Sequence, residues 1–250
     1  AGFAAGDLVL IDGGGNDAAD LVGAYLSASK DGGAAYKAFL TTLLPASMVD
    51  AAFAGGATGM AQVGGAYMVG LADKFSASIN ADVLGKGAQR VAILNLPGIY
   101  NTPRLQQLLG GIAATAGPAA SAQIQGLVKA WVEAFNAKLA ANFAGNDKVV
   151  VVDFYTSLND QVAHPEQFAL TNAKNTACPI TGVGGDGLPT YTFPTCTAAS
   201  LSAMAPPAGA TGGADWWKHY AFSDSFHPTP YGHQLLSQLV ARSIAQAGWL

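Results

Sequence analysis

The sequence predicts an α/β sandwich, with parallel strands buried between layers of helix. Three observations lead there. Short runs of continuous apolar, largely β-branched residues lie between turn signals, as strands covered on both faces require. Longer stretches carry an apolar residue every three or four positions, the rhythm of a helix with one buried stripe. The two kinds alternate along the chain, which is the order of parallel strands joined by right-handed crossovers.

Each element has its own signal. Leu8–Ile11 is an apolar run between Asp7 and Asp12 and reads as the first strand. Residues 20–44 read as two helices broken at Asp31-Gly32-Gly33. Residues 60–84 place Val63, Tyr67, Leu71, Phe75 and Ile79 on one helical stripe. Val91–Leu96 is the second strand, ended by Pro97-Gly98. Residues 119–143 repeat the helical pattern through Ile124, Leu127, Val128, Trp131, Phe135 and Leu139. Val149–Val152, followed by Asp153, is the third strand, and His219–Phe222 is a weaker fourth. Pro230 opens a final helix reaching Ala247, in the first turn, where its missing N–H leaves no bond unmade. Between Ala163 and Asp215 periodicity is lost and Pro, Gly and Thr dominate, a stretch far longer than an ordinary loop. It reads as an excursion from one domain spanning 1–250. Its scattered Phe168, Leu170, Ile180, Leu188, Tyr191, Phe193, Leu201 and Met204 are expected to fold over the functional site and line a pocket; the plainer alternative is a surface excursion packed against the outside of the sandwich.

Composition narrows the function classes. Of 250 residues half are apolar and 11% are charged, which excludes a disordered chain. A net charge of -4 with three arginines argues against nucleic acid as a partner. The longest apolar stretch, Met60 to Ala72, carries Gln62 and stops at Asp73, short of the roughly 20 residues that a bilayer span needs. Cys178 and Cys196 lie in the irregular stretch. They read either as two unrelated buried thiols or as one disulfide closing a surface loop, which would imply an oxidising compartment. No CxxC or Cys/His spacing suggests a metal site, and none is expected.

Ligands of an open parallel sheet bind beyond the carboxyl ends of the strands. After Ile11 comes Asp12-Gly13-Gly14-Gly15-Asn16-Asp17. This is either a tight turn capping a helix, or a place where Asn16 presents an amide to a developing oxyanion while glycines let substrate approach. No phosphate-loop pattern is present. Near the C-terminus stands Asp224-Ser225-Phe226-His227-Pro228. Its spacing lets the Asp224 carboxylate accept from the imidazole Nδ1 and free Nε2 to act as a base; the plainer alternative is a structural His beside a capping Asp. His164 and His219 have no partner at a recognisable spacing, and His233 reads as facing solvent or core.

The two blocks together resemble the SGNH, or GDSL-type, hydrolase family. Gly14-Gly15-Asn16-Asp17 is similar to its Gly-x-Asn-Asp block after the third strand, and Asp224-x-x-His227-Pro228 to its last block. Their separation of about 210 residues suits the larger secreted members. His164 to Asn172, Cys178 and Trp217 to Asp224 look like the secreted phospholipase/lecithinase/haemolysin-type esterase branch. The resemblance implies a three-layer α/β/α fold with a flavodoxin-like parallel sheet. It further implies a carboxylic-ester hydrolase working through an acyl-enzyme, without cofactor, on a lipid or short-chain acyl ester. In that scheme His227 is the base, Asp224 its orienter, and Asn16 with Gly14 the oxyanion hole.

One departure from the family matters more than the matches. The chain contains no Gly-Asp-Ser; Gly6-Asp7-Leu8 and Gly185-Asp186-Gly187 come nearest, and Ser225 sits on too short a tether to serve His227. By its blocks the chain starts near the family's third strand, so the resemblance implies that the nucleophile and first strands lie upstream. Without them Leu8–Ile11 would lose a neighbour and show an apolar edge. The expectation is a C-terminal part of a secreted, periplasmic or outer-surface hydrolase, joined by its N-terminal fragment as a separate chain. The alternative is a binding protein, or an inactive fragment, of the same fold.

Overall fold

The computed structural model describes residues 2–185 and 187–250. Ala1, which opens the N-terminal run, and Asp186, within Gly185-Asp186-Gly187, lie outside the described residues. In chain order the elements begin β1 (Leu8–Ile11), α1 (Gly15–Asp31), α2 (Ala34–Leu40), α3 (Ala46–Ala54), α4 (Gly56–Asp82), β2 (Arg90–Leu94), α5 (Pro103–Ala116) and α6 (Pro118–Asn142). They continue through β3 (Val149–Val152), α7 (Phe154–Ala163), β4 (Asn172–Thr176), β5 (Gly182–Val183), β6 (Pro189–Thr190), α8 (Ala198–Ala203), β7 (Tyr220–Phe222) and α9 (Pro230–Gln246). The chain divides into two compact units, one of Ala1–Pro97, Gly126–Phe154 and Ser243–Leu250, the other of Gly98–Gln125 and Tyr155–Arg242.

The first unit is built on a parallel sheet of order β1-β2-β3. Leu8 to Ile11 pair with Arg90 to Ile93, and Val91 to Leu94 with Val149 to Val152. Parallel pairing between strands separated by helices bears out the predicted α/β class. Only the central strand meets the expectation of cover on both faces: Val91, Ala92 and Ile93 are fully buried. On β1 the expectation fails, since Leu8 is 45% and Leu10 56% exposed. The reason is position, because β1 is an edge strand of its sheet and among the described residues only β2 pairs with it. The predicted stripes carry the rest of this core: Val63, Tyr67 and Ile79 of α4 are buried, as are Val128, Trp131, Phe135 and Leu139 of α6. The Trp131 indole N–H donates to the Ala61 carbonyl at 2.9 Å, so the core tryptophan leaves no donor unmade. At the end of β2 the Asn136 amide clasps Leu96, accepting from its N–H and donating to its carbonyl, each at 2.8 Å.

The break at Asp31-Gly32-Gly33 falls between α1 and α2 as predicted. Asp31 closes α1, and its carboxylate accepts from the N–H groups of Gly33 and Ala35, both at 2.9 Å. One side chain thus ends one helix and satisfies the orphan donors that open the next. Helix α1 starts at Gly15, earlier than the periodicity suggested, and α3 is an unpredicted short helix burying Val49 alone.

The second unit holds most of the irregular stretch, which is better ordered than its composition suggests. Strand β4 pairs in parallel with β7, and β5 with β6 as a two-residue hairpin. A small core of Ala177, Leu201, Trp216 and Tyr220 packs against Cys196, Ala210 and Trp217. Cys178 and Cys196 form a disulfide, with Cα atoms 5.6 Å apart and a sequence separation of 18. Of the two readings of these cysteines the bridge is the correct one. Leu170, Leu188 and Leu201 are buried, whereas Ile180, Phe193 and Met204 are exposed. Among the described residues no helix is long and apolar enough to cross a membrane.

Candidate active site

The second unit gathers its chemistry on the turn from β7 to α9. Two backbone bonds fold that turn back on the strand, Ser223 N–H to the His227 carbonyl and Thr229 N–H to Ala221, and a third ties it to α5, Arg104 N–H to the Ser225 carbonyl. The last is an N-terminal donor of α5, a group no helix can satisfy internally. Thr229 is buried; its hydroxyl donates to the Tyr220 carbonyl and accepts from the Gly232 N–H at 3.0 Å, capping α9 ahead of Pro230. Position 232 needs glycine, because a Cβ there would lie 2.8 Å from Pro228 Cβ and 2.9 Å from the Ala221 carbonyl oxygen.

This scaffold fixes Asp224 and His227. The Asp224 side chain is 6% exposed, and its Oδ1 accepts from the N–H groups of Phe226 and His227, both at 2.7 Å. Its Oδ2 lies 2.8 Å from His227 Nδ1. A buried carboxylate held by three donors has no freedom to turn, so it fixes the imidazole that it touches. The His227 side chain is 68% exposed, with the Phe226 ring edge-on to it at 5.7 Å. With Nδ1 engaged, Nε2 is the nitrogen left to exchange a proton with another molecule.

The structure thus brings together the two residues that the spacing paired. What the sequence reading missed is the grip on Asp224 by two backbone amides. An Asp whose side chain bonds the backbone two residues on is a recognised turn signal, and it was available at this position. Ser225, between the two, contributes its carbonyl to Arg104 and stands aside from the pair's chemistry.

Asn16 and Gly14 belong to the first unit and are placed by β1 and α1. Gly14 caps α1 with φ 92°, in the left-handed region that favours glycine, and a Cβ there would meet Phe135 at 3.3 Å and Leu96 at 3.4 Å. Asn16 follows in the first turn of α1, exposed to solvent, beside Asp17, whose charge suits a helix N-terminus. Its side chain makes no hydrogen bond among the described residues, which leaves the amide available as a donor. The remaining histidines take structural or surface places. His219 Nδ1 bonds the Ala169 carbonyl oxygen at 2.7 Å while its ring stacks on Tyr231, and His164 and His233 are exposed.

The family model described as GDSL-like Lipase/Acylhydrolase matches residues 3–240, which takes in both blocks and nearly all of the chain. No curated protein matches it.

Proposed function

The chain belongs to the GDSL-like lipase/acylhydrolase family, a family of hydrolases, and from that premise we propose that it is the larger part of a serine esterase of lipids or short-chain acyl esters. The observation that carries the proposal is the 2.8 Å contact of Asp224 Oδ2 with His227 Nδ1, made while two amides hold the other carboxylate oxygen.

In this scheme a serine hydroxyl loses its proton to His227 Nε2 as its oxygen bonds the ester carbonyl carbon. Asp224 stabilises the resulting imidazolium, and the Asn16 amide with neighbouring backbone N–H groups, Gly14 among them, holds the oxyanion. When the intermediate collapses, the bond to the alcohol breaks and the alcohol leaves with the Nε2 proton. Water then bonds the acyl-enzyme's carbonyl carbon while giving a proton to Nε2; when this second intermediate collapses, the bond to the serine oxygen breaks, the serine takes back the Nε2 proton, and the acid leaves. The serine of this scheme is supplied by a Gly-Asp-Ser block that residues 1–250 do not contain. The exposed apolar edge of β1 supports a further segment packing there. The Cys178–Cys196 bridge supports a secreted or periplasmic location.

A second reading, a non-catalytic binding protein, is favoured by the missing Gly-Asp-Ser. A fluorophosphonate probe and a soluble p-nitrophenyl ester decide between them. Residues 1–250 alone are expected to stay unlabelled and inert. Joined by a polypeptide bearing the Gly-Asp-Ser block, the protein should hydrolyse the ester and be labelled on that serine. A complete protein that does neither overturns the esterase reading and leaves the binding protein.

A further inference from the structure

The disulfide ring between Cys178 and Cys196 is anchored at its base and apolar at its outside. Its base is fixed three ways. The Cys178 N–H donates to the Ser223 carbonyl at 2.7 Å, one residue from Asp224. Cys178 is itself buried, and Cys196 packs against the core around Trp216. From that base the chain runs out through β5 and β6, where it shows Ile180 57%, Val183 71% and Phe193 58% exposed, with the Tyr191 ring stacked on Phe193. Three large apolar side chains in water within one short, covalently closed ring are unusual for a surface without a partner.

Charge indicates what the partner is. Between Lys174 and Asp215 the sequence has a single charged residue, Asp186, and that one is negative. A protein interface normally surrounds its apolar centre with a polar, charged rim, and an anionic surface would call for Lys and Arg. The ring has neither. Aliphatic and aromatic side chains without basic residues suit an electrically neutral lipid–water interface, where burial of apolar area supplies the affinity.

We propose that the Cys178–Cys196 ring is a docking element that sets the candidate active site against a neutral lipid surface, its Ile180, Val183 and Phe193 entering the acyl boundary. The proposal rests on the esterase reading, and it gives that enzyme an aggregated, water-insoluble ester as substrate. Because the base of the ring is hydrogen-bonded at Cys178 to Ser223, a lipid surface that the ring engages is brought to the side of the second unit that carries the Asp224–His227 turn.

Flotation with phosphatidylcholine vesicles tests this without any chemistry, so its failure is distinct from failure of the esterase reading. The protein is expected to float with the vesicles, equally at low and high salt, and no better when phosphatidylglycerol is added. The I180S/V183S/F193S triple variant should lose about tenfold or more of the bound-to-free ratio. Each single variant should lose part of it, while M48S, altered at an exposed Met of the first unit, should bind as the parent does. Ile180, Val183 and Phe193 are each more than half in solvent, and V183S and F193S singly keep the test open should the triple variant fold poorly. Parent protein left at the bottom of the gradient overturns the proposal, as does triple-variant binding equal to the parent. Parent protein that ignores vesicles but is dimeric by light scattering, with a monomeric triple variant, overturns it in favour of a protein–protein surface.

Discussion

At the scale of single residues, Asp224 and His227 differ in exposure as the proposed esterase mechanism requires of an orienting acid and a base. The carboxylate must stay immobile, which its three hydrogen-bond donors ensure; the imidazole must reach solvent on one side to exchange a proton. His227→Ala in the complete enzyme is expected to reduce turnover of a soluble ester by about 10²–10⁴-fold while leaving the melting temperature near that of the parent. Asp224→Asn should also lose activity, because an amide in that place no longer stabilises the imidazolium. It should in addition lower stability, since the buried oxygen that accepts from two N–H groups loses its charge. Near-normal turnover in His227→Ala would refute the assignment. This pair was legible in the sequence because its partners are three residues apart and the geometry is local. Tyr191 was not, since its burial depends on folding of the surrounding loop. Its hydroxyl is buried without a hydrogen-bond partner among the described residues. Tyr191→Phe is therefore expected to keep the stack on Phe193 and leave stability unchanged or raised by about 1 kcal/mol, read by thermal melting.

At the scale of elements, legibility followed apolar content. Strands Leu8–Ile11 and Val149–Val152 were predicted to the residue because both are unbroken runs of Val, Leu and Ile between polar punctuation. Strand β4, Asn-Ala-Lys-Asn-Thr, buries only Ala173 and has no pattern to read; it exists because β7 offers it a parallel edge. Helix α5 did have a signal that went unread: Thr102 capping Leu105, Pro103 at the first turn, and Leu105 and Leu109 one turn apart and both buried. The junction of α1 with α2 makes a pH prediction. Backbone hydrogen bonds, that from Ala35 foremost, hold the Asp31 carboxyl below its ordinary value. A carboxyl lowered in the folded state adds stability above its unfolded value of about 3.9, and that contribution is lost as pH falls through the folded value. Asp31→Ala should therefore melt slightly below the parent at neutral pH, with the two curves converging in acid. A constant gap down to pH 2 would show that the carboxylate's charge is not what matters. The disulfide acts on a different scale of energy. Opening a ring closed across a sequence separation of 18 by Cys178→Ser with Cys196→Ser removes a constraint worth about 3 kcal/mol by loop-closure entropy. A fall of that order in chemical denaturation is expected, together with loss of vesicle flotation, because the apolar ring would no longer be held on its base.

At the scale of the whole chain, the alternation of strand and helix was enough to read the α/β class, and family membership brings the three-layer α/β/α sandwich with it. What the alternation did not reveal is which strand stands at the edge. Strand order depends on contacts between segments distant in sequence, and a continuous apolar run looks the same whether one or two neighbours cover it. Here β1 is one such edge, opposite β3, and Leu8 and Leu10 carry the consequence, being large, apolar and about half in water on a strand with open backbone groups. Such an edge is a template for further pairing, whether with a proper partner segment or with other copies of the same chain. The esterase proposal identifies the proper partner as the segment that carries the Gly-Asp-Ser block, and it predicts opposite effects from one substitution in two settings. In residues 1–250 alone, L8K/L10K should reduce aggregation, measured by light scattering at fixed concentration, because lysine on an exposed edge opposes strand-to-strand association. In the protein joined to that segment, the same pair should lower both thermal stability and ester turnover, because two buried leucines would become two buried charges. If L8K/L10K leaves the joined protein as stable and active as the parent, β1 is a natural edge of the sheet, and the serine must be supplied from somewhere other than a neighbouring strand.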